Sequence, residues 1–101
     1  MNKYFATRTY SQLCGRTFDS KREAQRAEEL KMLEMAGEIS ELQYQVPFVL
    51  SKVPKVTITI DFAYKENGKQ VFEDAKGVLT RDFRTKLAWL KEKYNIEVML
   101  V

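Results

Sequence analysis

The chain has 101 residues, 45% of them hydrophobic and 12% aromatic, which suits one domain with a modest core and leaves no room for a second. It contains no histidine, and this excludes His-Cys zinc sites, Ser-His-Asp and Cys-His catalysis, and any nuclease chemistry with a histidine general base. Without histidine, chemistry must run on carboxylates, lysines or a metal held by oxygen ligands, which favours Mg²⁺ or Mn²⁺; the net charge is only +3.

Residues 1–18 mix Tyr4, Arg8, Tyr10, Arg16 and Phe18 around Gly15, and read as an arm or short hairpin that packs on the core. Cys14 is the sole cysteine, so no disulfide framework exists; a reducing cytoplasm is expected, with Cys14 a small half-buried apolar residue. Asp19-Ser20 offers helix caps, and Ser20 to Glu23 (SKRE) fits a capping box. The spacing predicts a helix over 20–36 that stops at Gly37. Leu42 to Leu50 alternates as a strand, and Pro47, which cannot donate to a ladder, argues for a sheet edge.

From Val56 the chain reads VTITIDFAYKENGKQVFEDAKG. Asn67-Gly68 predicts a two-residue hairpin turn, because a type I′ turn needs φ > 0 at both central positions. On the first strand of this hairpin Val56, Ile58, Ile60, Phe62 and Tyr64 are expected on one face, with Thr57, Thr59, Asp61 and Ala63 on the other. Thr80 can cap a second helix whose apolar positions are Phe83, Leu87, Leu90 and Tyr94, with Trp89 expected in core or interface packing. Ile96 to Val101 reads as a final strand. The expected fold class is α/β, a single domain over 1–101 whose core (19–101) runs α-β-β-β-α-β. The crossover through the second helix implies a parallel pair, giving a mixed four-stranded sheet flanked by helices. No apolar run approaches the ~20 residues needed to span a membrane, and MNKYFATRTY lacks an apolar signal region.

The hairpin count carries the functional reading. If Asn67-Gly68 is the loop, Glu66 faces Lys69, and Asp61 falls opposite Asp74. Opposed residues have Cβ atoms ~5 Å apart. At an effective dielectric of about 20 the two carboxylates repel by roughly 3 kcal/mol, which a fold tolerates when a cation sits between them. Lys76 projects from the same face as Asp74. The constellation is a candidate divalent-metal site for cutting phosphodiesters; the plainer reading is a solvated hairpin face with a Lys-Asp pair. A bulged loop would instead point Asp61 and Asp74 to opposite faces and make Glu73 the alternative ligand. Glu23, on the stripe of the first helix that faces the sheet, is either a capping-box residue or a third site acid. Gln45 could reach the edge of the site, although an ordinary polar edge residue reads as well.

Charge is unevenly spread. Arg16, Lys21 and Arg22 lie in a basic first quarter, Arg81, Arg84 and Lys86 in a basic last quarter, and carboxylates in between. Two basic ends around an acidic centre suit a polyanion lying across a metal site, and equally an ordinary solvated surface.

The series helix Glu, strand Asp, hairpin, Asp-x-Lys, helix, strand resembles the PD-(D/E)XK nuclease superfamily. More closely, FDSKREAQRAEEL, LEMAGEISELQYQVPF, IDFAY and FEDAKG followed by a Thr-initiated helix resemble a family of small phage and prophage proteins formerly catalogued as a domain of unknown function. That resemblance implies a restriction-endonuclease-like fold, with Asp61 and Asp74 as metal ligands, Lys76 as catalytic lysine and Glu23 as the helix acid. The metal would be Mg²⁺ or Mn²⁺, assisted by the Ala75 carbonyl and by Glu23 directly or through water. It implies a phage-encoded endonuclease in the bacterial cytoplasm acting on DNA, with Holliday-junction or branched DNA as a candidate substrate, and a homodimer if two strands are cut symmetrically. The alternative is a non-catalytic DNA-binding or replication-accessory protein on the same scaffold. The motif's usual proline before the first aspartate is Ile60 here, and the second helix, FRTKLAWL, is apolar where similar proteins carry cations.

Overall fold

The computed structural model describes residues 7–101, so Tyr4 of the expected arm lies outside the described residues. The remainder of that arm is a small antiparallel hairpin, β1 (Thr9–Ser11) and β2 (Arg16–Phe18), which buries Ser11 and Phe18 against the helix that follows. That helix, α1 (Lys21–Met35), starts where expected, with the Ser20 hydroxyl accepting from the Glu23 N–H at 3.0 Å. It ends at Gly37 (φ +80°), where the N–H groups of Gly37 and Glu38 donate to the carbonyls of Glu34 and Leu33. This is the paired closure that a left-handed glycine permits.

A long ribbon follows, β3 (Ser40–Lys52) against β4 (Lys55–Glu66), then β5 (Lys69–Asp74), α2 (Arg81–Tyr94) and β6 (Val98–Leu100). The sheet order is β3-β4-β5-β6, antiparallel except for the parallel β5–β6 pair. The mixed α/β architecture is therefore the expected one, with Pro47 on an edge strand and the crossover through α2 making the parallel pair. Asn67 (φ +53°) and Gly68 (φ +77°) form the hairpin turn, and Glu66 pairs with Lys69 as counted.

The expectation that Val56, Ile58, Ile60, Phe62 and Tyr64 share one face is wrong. Phe62 and Tyr64 pack with Ala24, Ala27 and Leu30 of α1, whereas Ile58 and Ile60 pack with Leu90 of α2. Phe72, paired with Ala63 and so on the face opposite Phe62, belongs to the α2 cluster too. The same change occurs in β3, where Leu42 and Tyr44 join the α1 cluster and Phe48 and Leu50 the α2 cluster. Alternation switches at Gln45, whose φ is +55°, opposite Asp61, between the pairs Tyr44–Phe62 and Val46–Ile60. The crossing point of two cores thus coincides with the first aspartate. Tyr94 caps the α2 contact, its hydroxyl donating to the Val49 carbonyl at 2.7 Å. Trp89, expected to pack, is 37% exposed.

Candidate functional site

The site forms where β4 and β5 part company. Their ladder ends at Phe62–Glu73; beyond it β4 stays with β3 while Asp74 pairs with Leu100 of β6. In place of further ladder bonds, side chains span the fork. The Asp61 N–H donates to Asp74 Oδ1 at 2.8 Å, and the Ala75 N–H donates to Asp61 Oδ2 at 2.9 Å. Asp61 and Asp74 therefore converge as the hairpin count anticipates, but each aspartate first satisfies a backbone donor of the other strand. Both are buried, Asp74 completely.

The oxygens left over are informative. Asp61 Oδ1 accepts from Gln45 Nε2 at 3.2 Å, and the same nitrogen donates to Glu23 Oε2 at 2.8 Å. Asp74 Oδ2 is buried with no hydrogen-bond partner, although Lys76 Nζ lies 3.1 Å away at ion-pair distance. The ammonium has the right separation and the wrong angle, so this oxygen is neutralised without receiving a directed proton. Lys76 also stands 4.3 Å from the centre of the Phe83 ring, which holds its charge at the site edge.

Burial pushes the Glu23 carboxyl up to about 7, reinforced by the charges of Asp61, Asp19 and Asp74 and opposed by Lys76. Burial and the charge of Asp74 push Asp61 up to about 6 against the Ala75 N–H, Lys76 and Gln45. Asp74 is raised as well, burial outweighing Lys76 and the backbone bond. Burial and mutual repulsion are the causes, and a divalent cation beside these acids would favour their charged forms. The donor set is all oxygen, which fits Mg²⁺ or Mn²⁺. Among the described residues no three His, Cys, Asp or Glu side chains are grouped closely enough to hold an ion alone. An ion here would rest on Asp61 and Asp74 and would need other oxygen donors to complete its shell, as is usual for Mg²⁺.

One residue before Asp74 the environment reverses. Glu73 is fully buried on the α1 face, where Arg26 Nε and Nη2 donate to its two oxygens at 2.8 Å each and the Tyr64 hydroxyl donates to Oε2. Burial alone would raise this carboxyl, but the Arg26 bonds and the Tyr64 hydroxyl hold it below its usual range. The alternative of Glu73 as a ligand therefore does not hold; it ties β5 to α1 one helical turn beyond Glu23.

Above the acids opens a cleft of about 900 Å³, lined by Ser20 to Glu23 at the start of α1, by Asp61, Ala75 and Lys76, and by Thr80, Asp82 and Phe83 at the start of α2. Thr80 Oγ1 accepts from the Phe83 N–H at 3.2 Å, so both helices present capped N-termini to the cleft. The partial positive charge there favours anions. Of the expected polyanion contacts, Lys21 and Arg22 line this cleft, and Arg22 also donates to the Val101 carbonyl at 3.4 Å. Arg16 does not; its guanidinium lies 4.7 Å from the Tyr44 ring centre and 5.6 Å from that of Phe18. Arg81 and Arg84 are exposed on α2 outside the cleft lining, and Lys86 pairs with Asp82 at 3.5 Å.

The Glu23 side chain is committed to Gln45, so of the two readings of Glu23 the inward-facing one describes its contacts. Gln45 and Arg26 are the residues that sequence reasoning undervalued. A signal existed for Arg26: a glutamate on an apolar strand face demands a cation, and Arg26 flanks Ala27 on the inner stripe of α1. No helix among the described residues is long and apolar enough to cross a membrane. No curated protein and no solved structure matches the sequence. Residues 1–100 match the family described as a protein of unknown function, DUF1064, and the chain belongs to that family.

Proposed function

We propose that the chain is a metal-dependent DNA endonuclease of the PD-(D/E)XK kind, acting in phage DNA metabolism on branched DNA such as a Holliday junction. The observation that carries the reading is the fork itself: two buried carboxylates, a lysine and an undonated carboxylate oxygen beneath a cleft edged by two helix N-termini. Asp61 and Asp74 would hold Mg²⁺ or Mn²⁺ with the Ala75 carbonyl, and the ion would polarise a phosphoryl oxygen and acidify a water. Lys76 reaches into the cleft from beside Asp74 and, once relieved of that carboxylate, can hold a phosphate oxygen or orient the attacking water. Glu23, with its affinity for a proton near neutrality, can accept one at the cleft wall. Lys21, Arg22 and the capped helix starts would seat the flanking phosphates.

Cleavage assays on duplex, single-stranded, flap and four-way-junction DNA with Mg²⁺, Mn²⁺ or chelator test this reading. Nicking that needs the ion, with junctions cut in preference, is the expected result. Salt-sensitive binding without cleavage under any ion would leave the non-catalytic DNA-binding alternative.

A further inference from the structure

Gln45 sits inside β3 with φ +55°. A non-glycine residue in the left-handed region is uncommon and persists where its surroundings over-determine it. The conformation aims one amide nitrogen at two acids from different elements, Glu23 Oε2 on α1 at 2.8 Å and Asp61 Oδ1 on β4 at 3.2 Å. The amide must lie this way round, because its oxygen would otherwise face two carboxylates. Its two protons, one for each acid, bridge Glu23 and Asp61 and occupy an oxygen of each.

We propose that Gln45 is a positioning residue that limits the site to one divalent ion, on the Asp61–Asp74 side, and keeps Glu23 out of that ion's shell. The inference rests on the metal-site reading above and adds the stoichiometry. Asp74 Oδ2, the buried oxygen without a donor, takes no part in this amide bridge, which ends at Asp61 Oδ1. A carboxylate oxygen accepts more than one partner, so Asp61 Oδ1 can keep its amide contact and still face an ion. The shorter of the two amide bonds goes to Glu23 Oε2, which holds Glu23 at the cleft wall against β3. Among the described residues no three acids are grouped to cage an ion, which agrees with the amide's separating role.

Counting Mn²⁺ ions on the full chain, by calorimetric titration and by the loss of free-ion magnetic resonance signal, tests the proposal. Wild-type protein should bind one ion per chain. Gln45→Glu keeps the strained backbone but turns the donor into an acceptor, and should bind two. Gln45→Ala vacates the same space without adding charge, and should admit a second ion at least tenfold more weakly than the first. Two ions on the wild type, or one ion on both variants, overturns the role assigned to Gln45 while leaving the metal site standing. No ion on the wild type removes the metal site and this inference together.

Discussion

Glu73 and Asp74 are neighbours in sequence, both fully buried, and opposite in how their charge is met. Glu73 has a donor for each oxygen, with Arg26 and Tyr64 completing its shell, and it ionises more readily than in water. Asp74 has an oxygen without a donor and resists ionising. One carboxylate is closed by directed donors; the other has only the Lys76 ammonium beside its second oxygen, where we propose that a cation binds. A buried charge that serves stability is closed by the protein's own groups, and one that serves chemistry stays open.

Removing the cation from the closed network should have the largest effect. Arg26→Ala strands the Glu73 carboxylate and should cost about 3–5 kcal/mol in urea unfolding. The apolar triple change Arg26→Met, Glu73→Leu, Tyr64→Phe should recover most of that loss, because it removes the buried charge along with its partner. A mild Arg26→Ala phenotype would mean that water reaches Glu73.

The open site should respond in the reverse sense. Asp74→Asn and Lys76→Ala should lower cleavage by roughly a hundredfold or more. Asp74→Asn should leave metal-free stability unchanged or raised, since it relieves a repulsion. Full activity in either variant would place the chemistry elsewhere.

The pH dependence of stability follows from the same contrast. Glu23 (about 7 against an ordinary 4.5) and Asp61 (about 6 against 3.8) bind protons more tightly folded than unfolded. Their unfolded forms ionise first as pH rises, so metal-free protein should lose on the order of 2 kcal/mol between about pH 4 and 7, allowing for relaxation in an open cleft. Glu73 is lowered, so its contribution is present above 4.5 and lost as pH falls below it. Metal-free protein should therefore be most stable near pH 4 to 4.5 in chelator and decline toward pH 7, and a stability that climbs steadily from pH 5 to 8 would contradict the burial of the open acids.

The smallest expected change is Glu23→Gln. Its amide oxygen can still accept from Gln45, so stability should hold, while cleavage should fall about tenfold with the lost proton acceptor, roughly 1.4 kcal/mol. Unchanged cleavage would reduce Glu23 to a strut for the amide.

The open site was more legible in the sequence than the closed one. Asn67-Gly68 fixes the hairpin, and counting from it brings Asp61, Asp74 and Lys76 together because turn chemistry sets register locally. The Arg26–Glu73 clamp joins residues far apart in sequence on separate elements, and no local rule pairs them. The face switch was hidden for a different reason. Alternation from Val56 to Tyr64 is unbroken as a pattern of residue types, and only the backbone of Gln45, an unremarkable glutamine in a strand, shows that the ribbon changes which helix it serves. Composition left oxygen ligands as the remaining chemistry. It could not show that two of the aspartate oxygens are already occupied by backbone N–H groups.

Thermal unfolding of wild-type and Asp74→Asn protein, with and without Mn²⁺, tests most directly whether the open carboxylate is there for a cation. At Mn²⁺ about a hundredfold above its dissociation constant, the wild type should gain roughly 10 °C. Asp74→Asn should gain little or nothing at the same concentration. Equal gains in both, or none in the wild type, would contradict the account.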